Sequence, residues 1–137
     1  MRERAEQAEQ RWRPGTPIGR RRWAIPDGYL PGTSPGPLPA MTSHEICILN
    51  ASTEDAHVAI HIYFTDRDPV GPYDVVVPAQ RTKHIRFNDL SDPAPVPRDT
   101  DFASVIDSDV PIVVQHTRLD SRQAANALFT TLAYAEE

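Results

Sequence analysis

Residues 110–123, VPIVVQHTRLDSRQ, pass from branched apolar residues to a cluster of polar, hydrogen-bonding ones. The apolar part reads as a buried strand, and a strand turns alternate side chains to opposite faces. Ile112, Val114, His116 and Arg118 therefore share one face. The row that enters the interior at Ile112 emerges as an imidazole and then a guanidinium, which marks the place to look for a site. The plainer reading of the same residues is a hydrogen-bonded core histidine and a salt-bridged arginine near a strand end.

Working outward, FASVI reads as a short strand, SDVP as a turn before the central stretch, and LSDPAPVPRDTD as a long proline-broken loop. In HVAIHIYFTD, Val58, Ile60, Ile62 and Phe64 line one face and His57, Ala59, His61 and Tyr63 the other, a clean period of two. EICILNAS is a strand ending at residues 50–52, and YDVVVP is another. In RTKHIRFND, Lys83, Ile85 and Phe87 oppose His84, Arg86 and Asn88. DRDPVGP and TSPGPLP are turn and loop material. The AANALFTTLAYA segment alternates at Leu128, Thr130, Leu132 and Tyr134, and its Phe and Thr residues favour a strand over the helix that its alanines would suit. With WAI near residue 24, about eight short strands are expected. They predict an all-β fold, an antiparallel β-sandwich of jelly-roll type.

A chain of 137 residues fits one domain able to bury a core without disulfides. Its single cysteine, Cys47, sits in ICIL as a small hydrophobe, and a lone thiol suits a reducing compartment, so a cytoplasmic location is expected. No run reaches the roughly 18 apolar residues that span a bilayer, so membrane insertion is not expected. Residues 1–22 carry seven arginines against three glutamates, a net of +4, while the remainder carries seven basic and sixteen acidic residues, a net of −9. Residues 1–20 read as a disordered or frayed basic arm and residues 21–137 as the folded domain. Phosphate backbones are bound through Lys and Arg that displace counterions. Nucleic acid is therefore not an expected partner of the acidic domain, and a DNA-binding regulator would have to use the arm.

Of the five histidines, His57 and His61 on one strand would stand about 13 Å apart at roughly 3.3 Å per residue, too far to chelate one ion. Asp89, Asp92, Asp99 and Asp101 lack the glycine and the closing glutamate of a calcium loop. His116, Asp120 and Ser121 occur together without a nucleophile-elbow sequence. No metal, no cofactor and no catalytic residue is expected, and the chain reads as non-enzymatic. Binding remains. A sugar or small acid asks for a few fixed polar groups beside an aromatic platform. His84, Arg86 and Asn88 form one polar row, His116 and Arg118 extend another, and Trp23 and Tyr29 are the natural platforms. If the rows are neighbours, they make a pocket. If they are not, Arg86 and Arg118 are expected to pair with Asp101, Asp107 or Asp120 and hold strands or subunits together.

The segments WAI-x-x-GY, CILNA, EDAHV, PVGPY, VPA-x-RTKH-x-RFNDL, DPAP, DTDFASVI and VPIVVQHTRLDSRQA resemble the sensory rhodopsin transducer family of cyanobacteria. The resemblance runs from about Ile18 to the C-terminus, is interrupted near residues 32–42 and leaves residues 1–17 outside it. It implies a jelly-roll β-sandwich assembled as a cyclic homotetramer. It also implies a signalling module that relays from a membrane photoreceptor, or a small-molecule, including sugar, binding domain unrelated to any photoreceptor. One fold hosts several functions, so kinship alone does not supply the partner.

Overall fold

The computed structural model describes residues 2–4, 13–32, 42–120 and 127–136. Eight strands follow in order: β1 Arg20–Ile25, β2 Thr42–Asn50, β3 Ala56–Phe64, β4 Val70–Val77, β5 Arg81–Arg86, β6 Phe102–Asp120, β7 Ala127–Leu132 and β8 Tyr134–Glu136. Among the described residues helix is confined to residues 2–4 and a 3₁₀ turn at Phe87–Asp89. The all-β expectation holds, and the C-terminal segment is strand.

The 19-residue β6 organises the molecule. Its first half lies between β3 and β1 in the order β4-β3-β6-β1-β8, and its second half lies between β2 and β7, with β5 beyond β2. All these ladders are antiparallel. One strand thus crosses from one sheet to the other, a recognised way of turning a corner between layers. The expected turn at SDVP is the corner itself. Along β1 the register steps from Arg22 opposite Asp107 to Arg20 opposite Ile112, so residues 108–111 bulge out of the ladder. Ser108 Oγ accepts the Val110 N–H at 3.3 Å, and Pro111 has no N–H to give. The polar and proline signals there mark a break in pairing, but the chain bends and continues. Gly19, at φ +100°, lies against the Ile112 carbonyl in a backbone conformation that favours glycine.

Alternation on the paired strands fills the interior. Ile60, Ile62 and Ile106 come from the first sheet and Ile46, Ile48 and Val114 from the second, all fully buried. Each such side chain contributes about 1.5–3 kcal/mol of transfer free energy. The β3 alternation is realised residue by residue, with Val58, Ile60 and Ile62 in the core and His57 and Tyr63 exposed. Phe87 and Phe102 meet edge to face at 5.4 Å.

Two polar devices fix the connections. Asn50, wholly buried, donates through Nδ2 to the carbonyls of Glu54, Val77 and Pro78, at 2.8, 3.0 and 3.3 Å, while its Oδ1 accepts the backbone N–H and the hydroxyl of Ser52. Asp99, at φ 53°, accepts from Gly32 N at 2.7 Å and from Tyr29 Oη at 3.3 Å, tying the 90–101 loop to the segment after β1. That loop is ordered through the core residue Val96 and the carbonyl of Ala94, which accepts the Tyr73 hydroxyl.

The basic segment is only partly described. Gly15 bridges Ser52 in parallel sense, and β1 already begins at Arg20. Residues 5–12 lie outside the described residues.

Candidate functional site

The row that opened the sequence analysis is realised on β6. Ile112 and Val114 are fully buried, His116 is 2% exposed, and the Arg118 side chain reaches the rim. The second sheet diverges from the first at this end. The chain crosses between them at Ala133, whose N–H donates to the Val114 carbonyl at 3.1 Å before β8 joins β1. A cavity of about 270 Å³ opens between the end of β1 and the β7–β8 crossing, lined by Pro26, Asp27, His116, Phe129, Thr131 and Tyr134 among others. This is just below the roughly 300–1,000 Å³ of pockets for drug-sized ligands.

The His116 ring meets Phe129 edge-on, 6.3 Å between centroids at 88°. Burial pushes the imidazole pKa down from its usual value of about 6.5, the Asp27 charge opposes this, and Arg118 adds to it. His116 is therefore neutral at pH 7, with one ring nitrogen donating and the other accepting. Arg118 Nη1 stands 3.9 Å from Asp27 Oδ2, with side chains 39% and 66% exposed. A pair this long and open contributes at most about 1 kcal/mol to stability, so both groups remain available to a ligand.

The other sequence candidates are elsewhere. Trp23 is in the core, 4% exposed, with its indole N–H donated to the Arg20 carbonyl, so its ring is not an exposed platform. Tyr29 is engaged by Asp99 and bridges Asp101 through its backbone. Directly opposed residues share a face, and His84 opposes Cys47, which opposes Gln115, while Arg86 opposes Glu45, which opposes Thr117. His84 and Arg86 therefore leave the outer face of the second sheet, and His116 and Arg118 the inner. The two polar rows do not converge. Asn88 does not extend the first row, because strand geometry stops at Arg86 and Asn88 lies in the 3₁₀ turn. The ion pairs differ from the alternative expected for Arg86 and Arg118: Arg118 faces Asp27, and Asp107 is held by Arg22 at 3.2 Å.

Asp27, Phe129 and Tyr134 complete the inner site and were not singled out in the sequence. Asp27 stands in the PDGY turn after β1, and no local pattern says which strand end it meets. Two larger surface hollows, of about 390 and 510 Å³, flank the arginine segment. The second is lined by Arg20, Arg21, Arg22 and Glu136, and Arg22 is already shared between Asp107 and Glu136.

On the outer face the strand pairing assembles a different cluster. One ligand-type atom each from Glu45, Cys47 and His84 lies within 4.8 Å of the others. His84 Nδ1 is 3.1 Å from Glu45 Oε1. Burial, with help from the Glu45 charge, pushes the Cys47 thiol pKa up, so it is protonated at neutral pH.

Comparison with known proteins gives the family. The family profile described as Anabaena sensory rhodopsin transducer matches residues 18–135. The chain belongs to the sensory rhodopsin transducer family. Among solved structures, the Anabaena sensory rhodopsin transducer is 63% identical, with 74% of this chain covering 100% of that one at a TM-score of 0.69. A second solved structure, Thermotoga maritima 1070, is 32% identical over 87% of this chain and 97% of its own, at a TM-score of 0.77. No functionally curated protein shows significant similarity. Among the described residues of this transducer family member, no helix is long and apolar enough to cross a membrane.

Proposed function

We propose that this transducer family member is a non-enzymatic binding and signalling module, and that the cavity beside His116 takes a small neutral polyhydroxyl ligand, a single sugar ring in preference to a small acid. The observation that carries the reading is the meeting of a buried neutral imidazole, the Asp27 carboxylate and the Phe129 ring in one cavity, with the Arg118 guanidinium 3.9 Å from Asp27 at its rim. An aromatic face with a few fixed donors and acceptors suits the alternating C–H and O–H surface of a sugar. The Asp27 carboxylate at the rim opposes an anion. Among the described residues no serine or cysteine lines the cavity beside His116, which supports binding over nucleophilic catalysis. A thermal-shift screen of neutral hexoses and pentoses against gluconate tests this: hexoses raise the melting temperature and gluconate does not. Stabilisation by gluconate alone would reverse the assignment, and no shift with any of them would remove it.

A second reading, contact with other proteins, is favoured by Leu49, Leu128 and Leu132, which lie 41–69% exposed on the outer face of the second sheet. Large apolar side chains exposed on one sheet face suit an interface. In this reading four copies form a cytoplasmic ring through that face, and the ring carries the signal of a membrane photoreceptor. Co-purification with a rhodopsin encoded beside this gene tests the photoreceptor, and its absence leaves ligand sensing as the role. The acidic domain, net −9 outside the first 22 residues, argues against nucleic acid.

A further inference from the structure

We propose that Glu45, Cys47 and His84 form a binding site for a thiophilic divalent metal ion of the zinc type, on the outer face of the second sheet and separate from the cavity beside His116. Cys47 and His84 are directly opposed across the β2–β5 ladder, and Glu45 stands two residues before Cys47 on the same face. The three side chains are thus aimed together by backbone hydrogen bonding, with no loop to order. Their ligand atoms lie within 4.8 Å of one another, against roughly 3.5 Å around a tetrahedral ion, so side-chain rotations alone close the site.

The donor set decides the metal. One sulfur, one imidazole nitrogen and one carboxylate oxygen match zinc or cobalt and not magnesium or calcium, which take oxygen. As the metal–Sγ bond forms, the Cys47 thiol proton passes to solvent, and thiolate and carboxylate together neutralise the divalent charge. Three protein ligands leave the fourth tetrahedral position to water, the pattern of an open site. The sequence hides this arrangement, because His84 stands 37 positions from Cys47 and only strand pairing unites them.

The test is cobalt(II) titration of the full-length protein, freed of metal with a chelator and reduced, followed by near-ultraviolet and visible absorption. The proposal expects one cobalt per chain with a thiolate-to-cobalt charge-transfer band, displaced by zinc. Cys47→Ser removes the band. His84→Ala and Glu45→Gln each weaken binding by more than about 100-fold, exceeding the roughly 10–100-fold losses typical of outer-shell partners. Each variant is compared by circular dichroism, since the outer-face positions leave the core intact. No charge-transfer band with cobalt in excess, or a band retained in Cys47→Ser, overturns the site. Unchanged affinity in both His84→Ala and Glu45→Gln overturns it as well.

Discussion

Arg86 and Arg118 belong to neighbouring rungs of one sheet and leave it from opposite faces. Arg86 opposes Glu45 and Glu45 opposes Thr117, so Arg118, one residue on, points the other way. The polar residues at this end of the molecule therefore serve two surfaces. The inner one holds a neutral imidazole in a cavity, and the outer one holds a thiol, an imidazole and a carboxylate. A substitution on either surface is expected to leave the other unaffected.

If the cavity takes a hexose, Arg118→Ala is expected to abolish its binding while leaving the fold intact. Its ion pair with Asp27 is long and half exposed, so the stability change stays within about 1 kcal/mol in urea denaturation. Asp27→Asn keeps the size of the side chain but removes the charge that disfavours anions. It is expected to lower the selectivity for hexose over gluconate, measured by comparing the two affinities.

Acid should destabilise the protein through His116. Its pKa is lowered in the folded state by burial and by Arg118, with Asp27 opposing, so the unfolded chain binds the proton more readily. Stability from this group is fully present above about pH 6.5 and is lost as pH falls from there through the lower folded value. The melting temperature of wild type thus drops between pH 7 and pH 5 more than that of His116→Gln. Parallel pH profiles would show that His116 carries none of the dependence.

Asn50→Ala strips partners from three carbonyls and from Ser52 at a wholly buried position. Each buried group left unsatisfied costs about 1–3 kcal/mol, so the variant is expected to lose at least that much in urea denaturation. A loss below about 0.5 kcal/mol would mean that water replaces the amide at little cost.

Leu128→Glu and Leu132→Glu place charge on the exposed apolar outer face of β7. If that face joins four copies, light scattering reports smaller species in both variants at unchanged secondary structure. A mass identical to wild type would assign the subunit contact to another surface.

Much of this architecture could be read from the chain. The alternation in β3 named its buried face, and the Ile112, Val114, His116, Arg118 row was placed on one face that ends at a rim. Local patterns report which side chains share a face of their own strand. They do not report how the faces of separate strands match, which depends on pairing between distant residues. Whether the His84 and His116 rows are neighbours was therefore open in the sequence, and strand pairing sets them back to back. For the same reason SDVP read as a turn: its Ser and Pro mark lost ladder bonds in either case, and only the partners β1 and β2 show that β6 continues. Trp23 read as a platform because a sugar or small-acid site asks for an aromatic ring beside its polar groups. Its register opposite Ile106, deep in the first sheet, makes it core.

The central claim is that the cavity beside His116 is a ligand site. It is tested most directly by isothermal titration calorimetry of neutral hexoses into wild type and Arg118→Ala. The account predicts that at least one hexose binds wild type with one site per chain and that the heat disappears in the variant, whose circular dichroism is unchanged. Binding with the same affinity in Arg118→Ala, or no binding of any hexose to wild type, would contradict it.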